Sequence, residues 1–219
     1  MKLLFLGDSI TQGVGASSED KNYVNLVKVA FGAEVVNYGV SGTRIGRQSK
    51  VYHSTLWNYD FRLRAQIMDV DADLVFVFGG TNDYGHGSLR LGSTKERISN
   101  TFCTELRLLI EALIAKYGKE KLCFLLPLRR YNDEKGITCK GERGNEMGEN
   151  LLAYKNAMAD LLREYGIDMI DLYENGIPKP LLTTGDEYTV DGVHPNDRGY
   201  LLIANRICEY IKTNNRGLL

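Results

Sequence analysis

Two hydrophobic rhythms alternate along this chain, and that alternation limits its possible folds more than any other feature. Uninterrupted apolar runs such as Leu74-Val-Phe-Val-Phe78 exchange with stretches whose apolar residues recur at helical spacing. Leu3–Leu6, Glu34–Tyr38, Asp73–Phe78, Lys121–Leu126 and Ile167–Leu172 read as strands. Between them, Tyr23, Val24, Val27, Ala30 and Phe31 mark a helix, and Leu63 and Ile67 mark a short one. A long helix is predicted from about Lys95 to Tyr117, ended by Gly118. Another runs from Glu149 to Tyr165 before Gly166, and a last one from about Asp197 to Lys212. Strands that are apolar without interruption are covered on both faces, so the pattern predicts a parallel sheet with helices on each side. There is no internal repeat, low-complexity tract or linker, and residues 1–219 read as one domain. Two long connections, about 43–58 and 128–148, have the length of functional loops.

Composition narrows the function. Hydrophobic residues make up 43% and charged residues 25%, as in an ordinary globular chain, and the formal net charge is −1. No basic field offers itself to nucleic acid, and no polybasic patch to an anionic membrane. The apolar run after Lys2 stops at Gly7-Asp8, short of the roughly 7–15 residues of a secretory core. No stretch approaches the roughly 18 apolar residues of a membrane span, so a cytoplasmic location is expected. The four cysteines, Cys103, Cys123, Cys139 and Cys208, form no C-x-x-C pair and read as free thiols, Cys139 in a polar loop.

The polar residues that punctuate the strands carry the chemistry. Ser9 follows the first strand, Gly42 the second and Asn82 the third, while Asp191 and His194 precede the last helix. In a parallel sheet all of these fall at the carboxyl edge, where open α/β folds bind ligands. Ser9, in Gly7-Asp8-Ser9, is either a nucleophile or only a cap of the following helix. Pro195 keeps His194 extended, and Asp191 stands where it can turn back to Nδ1, leaving Nε2 for Ser9; the alternative is a surface histidine beside a turn. Asn82, after Gly79-Gly80-Thr81, can donate to a developing oxyanion together with the N–H groups of Ser9 and Gly42, or close an Asx turn.

Four segments in order resemble the blocks of the SGNH, or GDSL-type, esterase and lipase family. They are Gly7-Asp8-Ser9-Ile10, Asn37-Tyr-Gly39-Val-Ser41-Gly42, Gly79-Gly80-Thr81-Asn82-Asp83 and Asp191-Gly-Val-His194-Pro195. Ile10 stands where the family name has Leu, at a position that does no chemistry. The resemblance spans residues 7 to 195. It implies a three-layer α/β/α sandwich of flavodoxin-like architecture with a parallel sheet of about five strands. It implies a serine hydrolase with Ser9, His194 and Asp191 as catalytic residues and Ser9, Gly42 and Asn82 as the oxyanion hole. It implies no cofactor and no metal.

Substrate identity is less legible. Members of the family cleave acetyl groups from sugars, short alkyl or aryl esters, thioesters and lysophospholipids. The loops offer Arg44, Arg47, Lys50, Tyr52, His53 and Trp57, then Arg129, Arg130, Tyr131 and Arg143. Arg44, Trp57, His86 and Tyr131 are the candidate substrate contacts, Trp57 or Tyr131 through stacking on a sugar and Arg44 through an anionic group. The polar loop 128–148 lacks an apolar lid, so a small-molecule ester with a short acyl group is expected, with lysophospholipase or thioesterase action as the alternative of the same mechanism. A metal-dependent phosphoesterase would draw on Asp8, Asp83, His86, Asp191 and His194, but the histidines near the rim are too few for a two-metal site. A non-catalytic flavodoxin-like module would cradle phosphate at Ser9-Ile-Thr11-Gln-Gly13, but no dinucleotide fingerprint accompanies it.

Overall fold

The computed structural model describes residues 1–47, 60–97, 100–131, 133, 149–181 and 184–214. Five strands, β1 (Lys2–Gly7), β2 (Glu34–Gly39), β3 (Leu74–Phe78), β4 (Leu122–Leu125) and β5 (Asp168–Ile170), form one sheet in the order β2-β1-β3-β4-β5. Every pairing is parallel. The helices are α1 (Ser9–Gln12), α2 (Tyr23–Phe31), α3 (Phe61–Ile67), α4 (Thr81–His86), α5 (Phe102–Tyr117), α6 (Leu151–Tyr165), α7 (Leu172–Asn175) and α8 (Asp197–Thr213).

The apolar runs serve two cores at once. Leu4, Leu6, Val75, Val77 and Phe124 pack with residues of α3, α5 and α6. Their neighbours Leu3, Phe5, Phe76, Phe78 and Leu125 pack with residues of α2 and α8. Successive side chains point to opposite faces, so a strand covered on both sides must be apolar at every position. That produces the expected α/β/α sandwich. The order of connection reverses between β1 and β3, and a ligand crevice in such a sheet opens at the carboxyl ends beside that point.

Element ends moved where a cap intervened. The long helix starts at Phe102, not near Lys95, because the Thr101 side chain accepts the Thr104 N–H and caps it. The stretch before it crosses over instead, Phe102 and Cys103 donating to the carbonyls of Arg90 and Leu91. β5 stops at Ile170 because Asp171 accepts the N–H groups of Tyr173 and Glu174 and starts α7. Cys103 and Cys123 are buried free thiols and Cys208 is half-buried. Cys139 and most of the loop 128–148 lie outside the described residues, as do residues 48–59. Among the described residues, no helix is long and apolar enough to cross a membrane.

Candidate active site

Ser9 is presented by a turn with almost no room. β1 ends at Gly7, where a Cβ would stand 1.8 Å from the Thr11 hydroxyl, so only glycine lets α1 fold back this closely. Asp8 caps α1 by accepting the Ile10 N–H at 3.0 Å. Its carboxyl is buried, and that burial raises its pKa to about 6 against the opposing pull of the Ile10 N–H, His194 and Arg64. Tyr200 of α8 ties α1 from behind, donating to the carbonyls of Ile10 and Val14.

The segment 186–196 brings the histidine back to this turn across the length of the chain. Asp186 accepts the N–H groups of Tyr188 and Thr189, Val190 donates to the His194 carbonyl, and Asn196 donates to the Tyr188 carbonyl and caps α8. Asp191 Oδ1 accepts the N–H groups of Val193 and His194, which leaves Oδ2 to accept the ring Nδ1–H at 2.7 Å. The other ring nitrogen, Nε2, lies 2.9 Å from Ser9 Oγ. Half-burial opposes ionisation of Asp191, but the ring and backbone hydrogen bonds from His194 prevail and hold its pKa down to about 2.

A second group of polar segments follows β2 and β3. Asn37 bridges α1 and β2, donating to the Thr11 carbonyl and accepting the Gly39 N–H. The chain then turns through Gly42 at φ 77°, a left-handed conformation that favours glycine. Thr43 donates to the Val40 carbonyl, and its own carbonyl accepts Asn82 Nδ2 at 2.9 Å. Asn82 Oδ1 lies 3.2 Å from His86 Nε2, one helical turn on. Asp83 accepts the N–H groups of Ile45 and Gly46 and so pins the Gly42 turn to α4. Beneath the turn lies Arg64, donating to the carbonyls of Gly7 and Tyr38 and to Thr43 Oγ1. Burial lowers its pKa to about 10, although Asp8 and Asp60 favour the charged form.

The structure joins Ser9, His194 and Asp191 by hydrogen bonds, and it joins Asn82 to the turn that follows Gly42 through the Thr43 carbonyl. The rim residues expected from the sequence fared unevenly. Arg44 is not a rim side chain: it is 4% exposed and lines a small cavity with Asp83 and Tyr154. Arg130 is likewise drawn in, donating to the carbonyl and hydroxyl of Thr81 over the Tyr84 ring. Tyr131 is half-buried beside the histidine segment, its N–H on the Gly192 carbonyl. His86 reaches Asn82. Trp57 lies outside the described residues. Arg64 and Thr43 were missed, since neither sits in a motif and only the folded chain brings helix α3 under the Gly42 turn.

A sequence profile of the GDSL-like lipase/acylhydrolase family matches residues 5–202. The chain belongs to that family. As a GDSL-like acylhydrolase it is a serine hydrolase acting on ester bonds. A protein of solved structure from Lactobacillus plantarum is 27% identical, with a TM-score of 0.78 over 97% of this chain and 96% of its own. A member of the lipolytic G-D-S-L family from Veillonella parvula is 20% identical, with a TM-score of 0.65 over 97% of this chain and 98% of its own. An acetyl xylan esterase shares the fold at 21% identity, with a TM-score of 0.64 over 96% of this chain and 100% of its own. No curated protein matches the chain.

Proposed function

We propose that this GDSL-like acylhydrolase is an esterase for short-chain acyl esters that works through Ser9, His194 and Asp191. The observation carrying this reading is the unbroken line of hydrogen bonds from Ser9 Oγ through the imidazole to Asp191 Oδ2. Asp191 keeps the proton on Nδ1, so Nε2 is an acceptor for the Ser9 hydroxyl. Ser9 Oγ attacks the ester carbonyl as its proton passes to Nε2, and the imidazolium is stabilised by Asp191. The carbonyl oxygen, now negative, meets the N–H groups of Ser9 and Gly42 and the side-chain amide of Asn82. His194 returns the proton to the departing alcohol. Water then attacks the acyl-enzyme with the same base, and Ser9 is released.

The acyl preference rests on the polarity around Ser9. The facing segments present Asn82 and His86 and the Thr43 carbonyl, with Tyr131 beside the histidine segment. A long acyl chain needs a continuous apolar groove, which gains about 0.8 kcal/mol per buried methylene. Acetyl to butyryl esters are therefore the expected substrates, an O-acetylated carbohydrate among them. The test is kcat/KM for p-nitrophenyl esters from two to twelve carbons, together with mapping of a fluorophosphonate adduct. An adduct on Ser9 with falling kcat/KM beyond butyryl is expected. A steady rise with chain length overturns the short-acyl reading, and an adduct on another serine overturns the mechanism.

A further inference from the structure

The Asn82 amide has a limited set of hydrogen-bonding positions, and the structure fills most of them. A primary amide offers two N–H donors and one carbonyl oxygen. One N–H is used on the Thr43 carbonyl at 2.9 Å. That bond decides which end of the amide is nitrogen, so the atom 3.2 Å from His86 Nε2 is the oxygen Oδ1. An amide oxygen only accepts. His86 must therefore carry its proton on Nε2 and donate. Both ends of the amide are then held, from Thr43 on one side and from His86 on the other, and the second Nδ2–H is left for the substrate. Thr43 is itself fixed, because Arg64 donates to its hydroxyl and the hydroxyl donates to the Val40 carbonyl.

Resting on the esterase reading above, we propose that His86 is a positioning residue of the oxyanion hole: its Nε2–H clamps the Asn82 side chain so that the free amide proton faces the developing negative charge. Donation to Oδ1 also polarises the amide and strengthens the remaining N–H as a donor, as in any hydrogen-bonded chain. His86 as a residue is exposed. Even so it is pushed toward its neutral form, first by desolvation and then by the Arg44 and Arg130 guanidinium groups. A neutral ring has a single N–H, and here Asn82 Oδ1 selects its position. His86 is thus assigned to orientation of Asn82 and not to contact with substrate.

The test combines kinetics on p-nitrophenyl acetate with the tautomeric state of the ring. His86→Phe should lower kcat by about tenfold with KM within twofold, since one orienting hydrogen bond is lost and ground-state binding is not. His86→Gln, whose amide nitrogen takes the place of Nε2, should recover most of that loss. In an Asn82→Ala background His86→Phe should have no further effect, because nothing remains to orient. ¹⁵N NMR of the imidazoles in the wild-type protein should find His86 as the Nε2–H tautomer at pH 7. A raised KM with unchanged kcat, an equal loss in the Asn82→Ala background, unchanged kcat in His86→Phe, or an Nδ1–H tautomer each overturns the assignment. Turnover that survives Ser9→Ala overturns the Ser9 mechanism on which the reading rests, so the two failures are distinguishable.

Discussion

The two halves of the proposed site are built differently. On one side, His194 and Asp191 approach through a single segment, and the groups that matter are one ring and one carboxylate in direct line. On the other, Gly42 and Asn82 come from two separate elements and are held by a web of neighbours: Thr43, Asp83, His86 and the buried guanidinium of Arg64. The mechanism proposed above accounts for the asymmetry. In it, positive charge develops on the imidazole, next to a carboxylate whose pKa is held down to about 2, and negative charge develops where donors must already point the right way before the charge appears. A base needs one good partner to fix its tautomer. A pair of donors on different elements needs scaffolding to share one focus.

If that division holds, substitutions on the two sides should differ in kind. The largest losses belong to the attacking side. Ser9→Ala and His194→Ala should each cost on the order of 10⁶ in kcat, and the double variant no more, because the two act as a unit. Asp191→Asn should cost about 10⁴ by releasing the tautomer. Circular dichroism must show each variant folded, with rates read on p-nitrophenyl acetate. A near-silent Asp191→Asn would mean that another group orients His194, and the single-line description of this side would fail.

The receiving side should give smaller losses, graded by distance from the oxyanion. Asn82→Ala removes a donor outright and should lower kcat by about 10²–10³, or roughly 3–4 kcal/mol, with KM little changed. A large rise in KM alone would make Asn82 a ground-state contact and erase the contrast with the attacking side. Thr43→Val keeps the shape of the side chain and removes the hydroxyl that joins Arg64 to the Val40 carbonyl. It should cost about tenfold in kcat, consistent with one supporting hydrogen bond, and Thr43→Ser should restore the rate. Equal activity in Thr43→Val and wild type would show that the Gly42 turn needs no support from the Thr43 hydroxyl.

What the sequence made legible follows the same division. Ser9, His194 and Asp191 became candidates through local features, a glycine turn out of a strand, a proline after a histidine and a carboxylate three residues earlier, and the four family-like blocks then gave them roles. The parallel sheet was legible because strands covered on both faces lose their polar alternation. The support for the receiving side was not legible. Arg64 looks like any polar residue of a short helix, and only the packing of α3 under β1 and β2 turns it toward the Gly7 and Tyr38 carbonyls. Arg44 and Arg130 misled for the same reason. A loop arginine reads as solvated, and their burial is decided by neighbours distant in sequence. The long helix expected from about Lys95 starts at the Thr101 cap, and the strand expected to run to Leu172 gives way at Asp171, which caps a short helix, because in both places a capping side chain outweighed the apolar period.

The smallest effect concerns Asp8, which lies between the two sides and feels both His194 and Arg64. Its folded pKa of about 6 stands above the ordinary carboxylate value of about 3.9 because the group is buried. A raised folded pKa means that the folded state holds the proton more tightly than the unfolded chain does. The stabilisation it brings is complete below about pH 3.9 and is lost as pH rises through about 6. At pH 8 the buried carboxylate therefore costs roughly 2–3 kcal/mol relative to acid, and at pH 5 about half of that. Asp8→Asn abolishes the titration while keeping an oxygen for the Ile10 N–H. Its unfolding free energy relative to wild type should improve by about 1 kcal/mol on going from pH 5 to pH 8, measured by urea denaturation at both values. The sign is the informative part. Identical pH slopes in the two proteins would mean that Arg64 and His194 already compensate the Asp8 charge in full, and the boundary between the two sides would then be a balanced ion pair instead of a strained carboxylate.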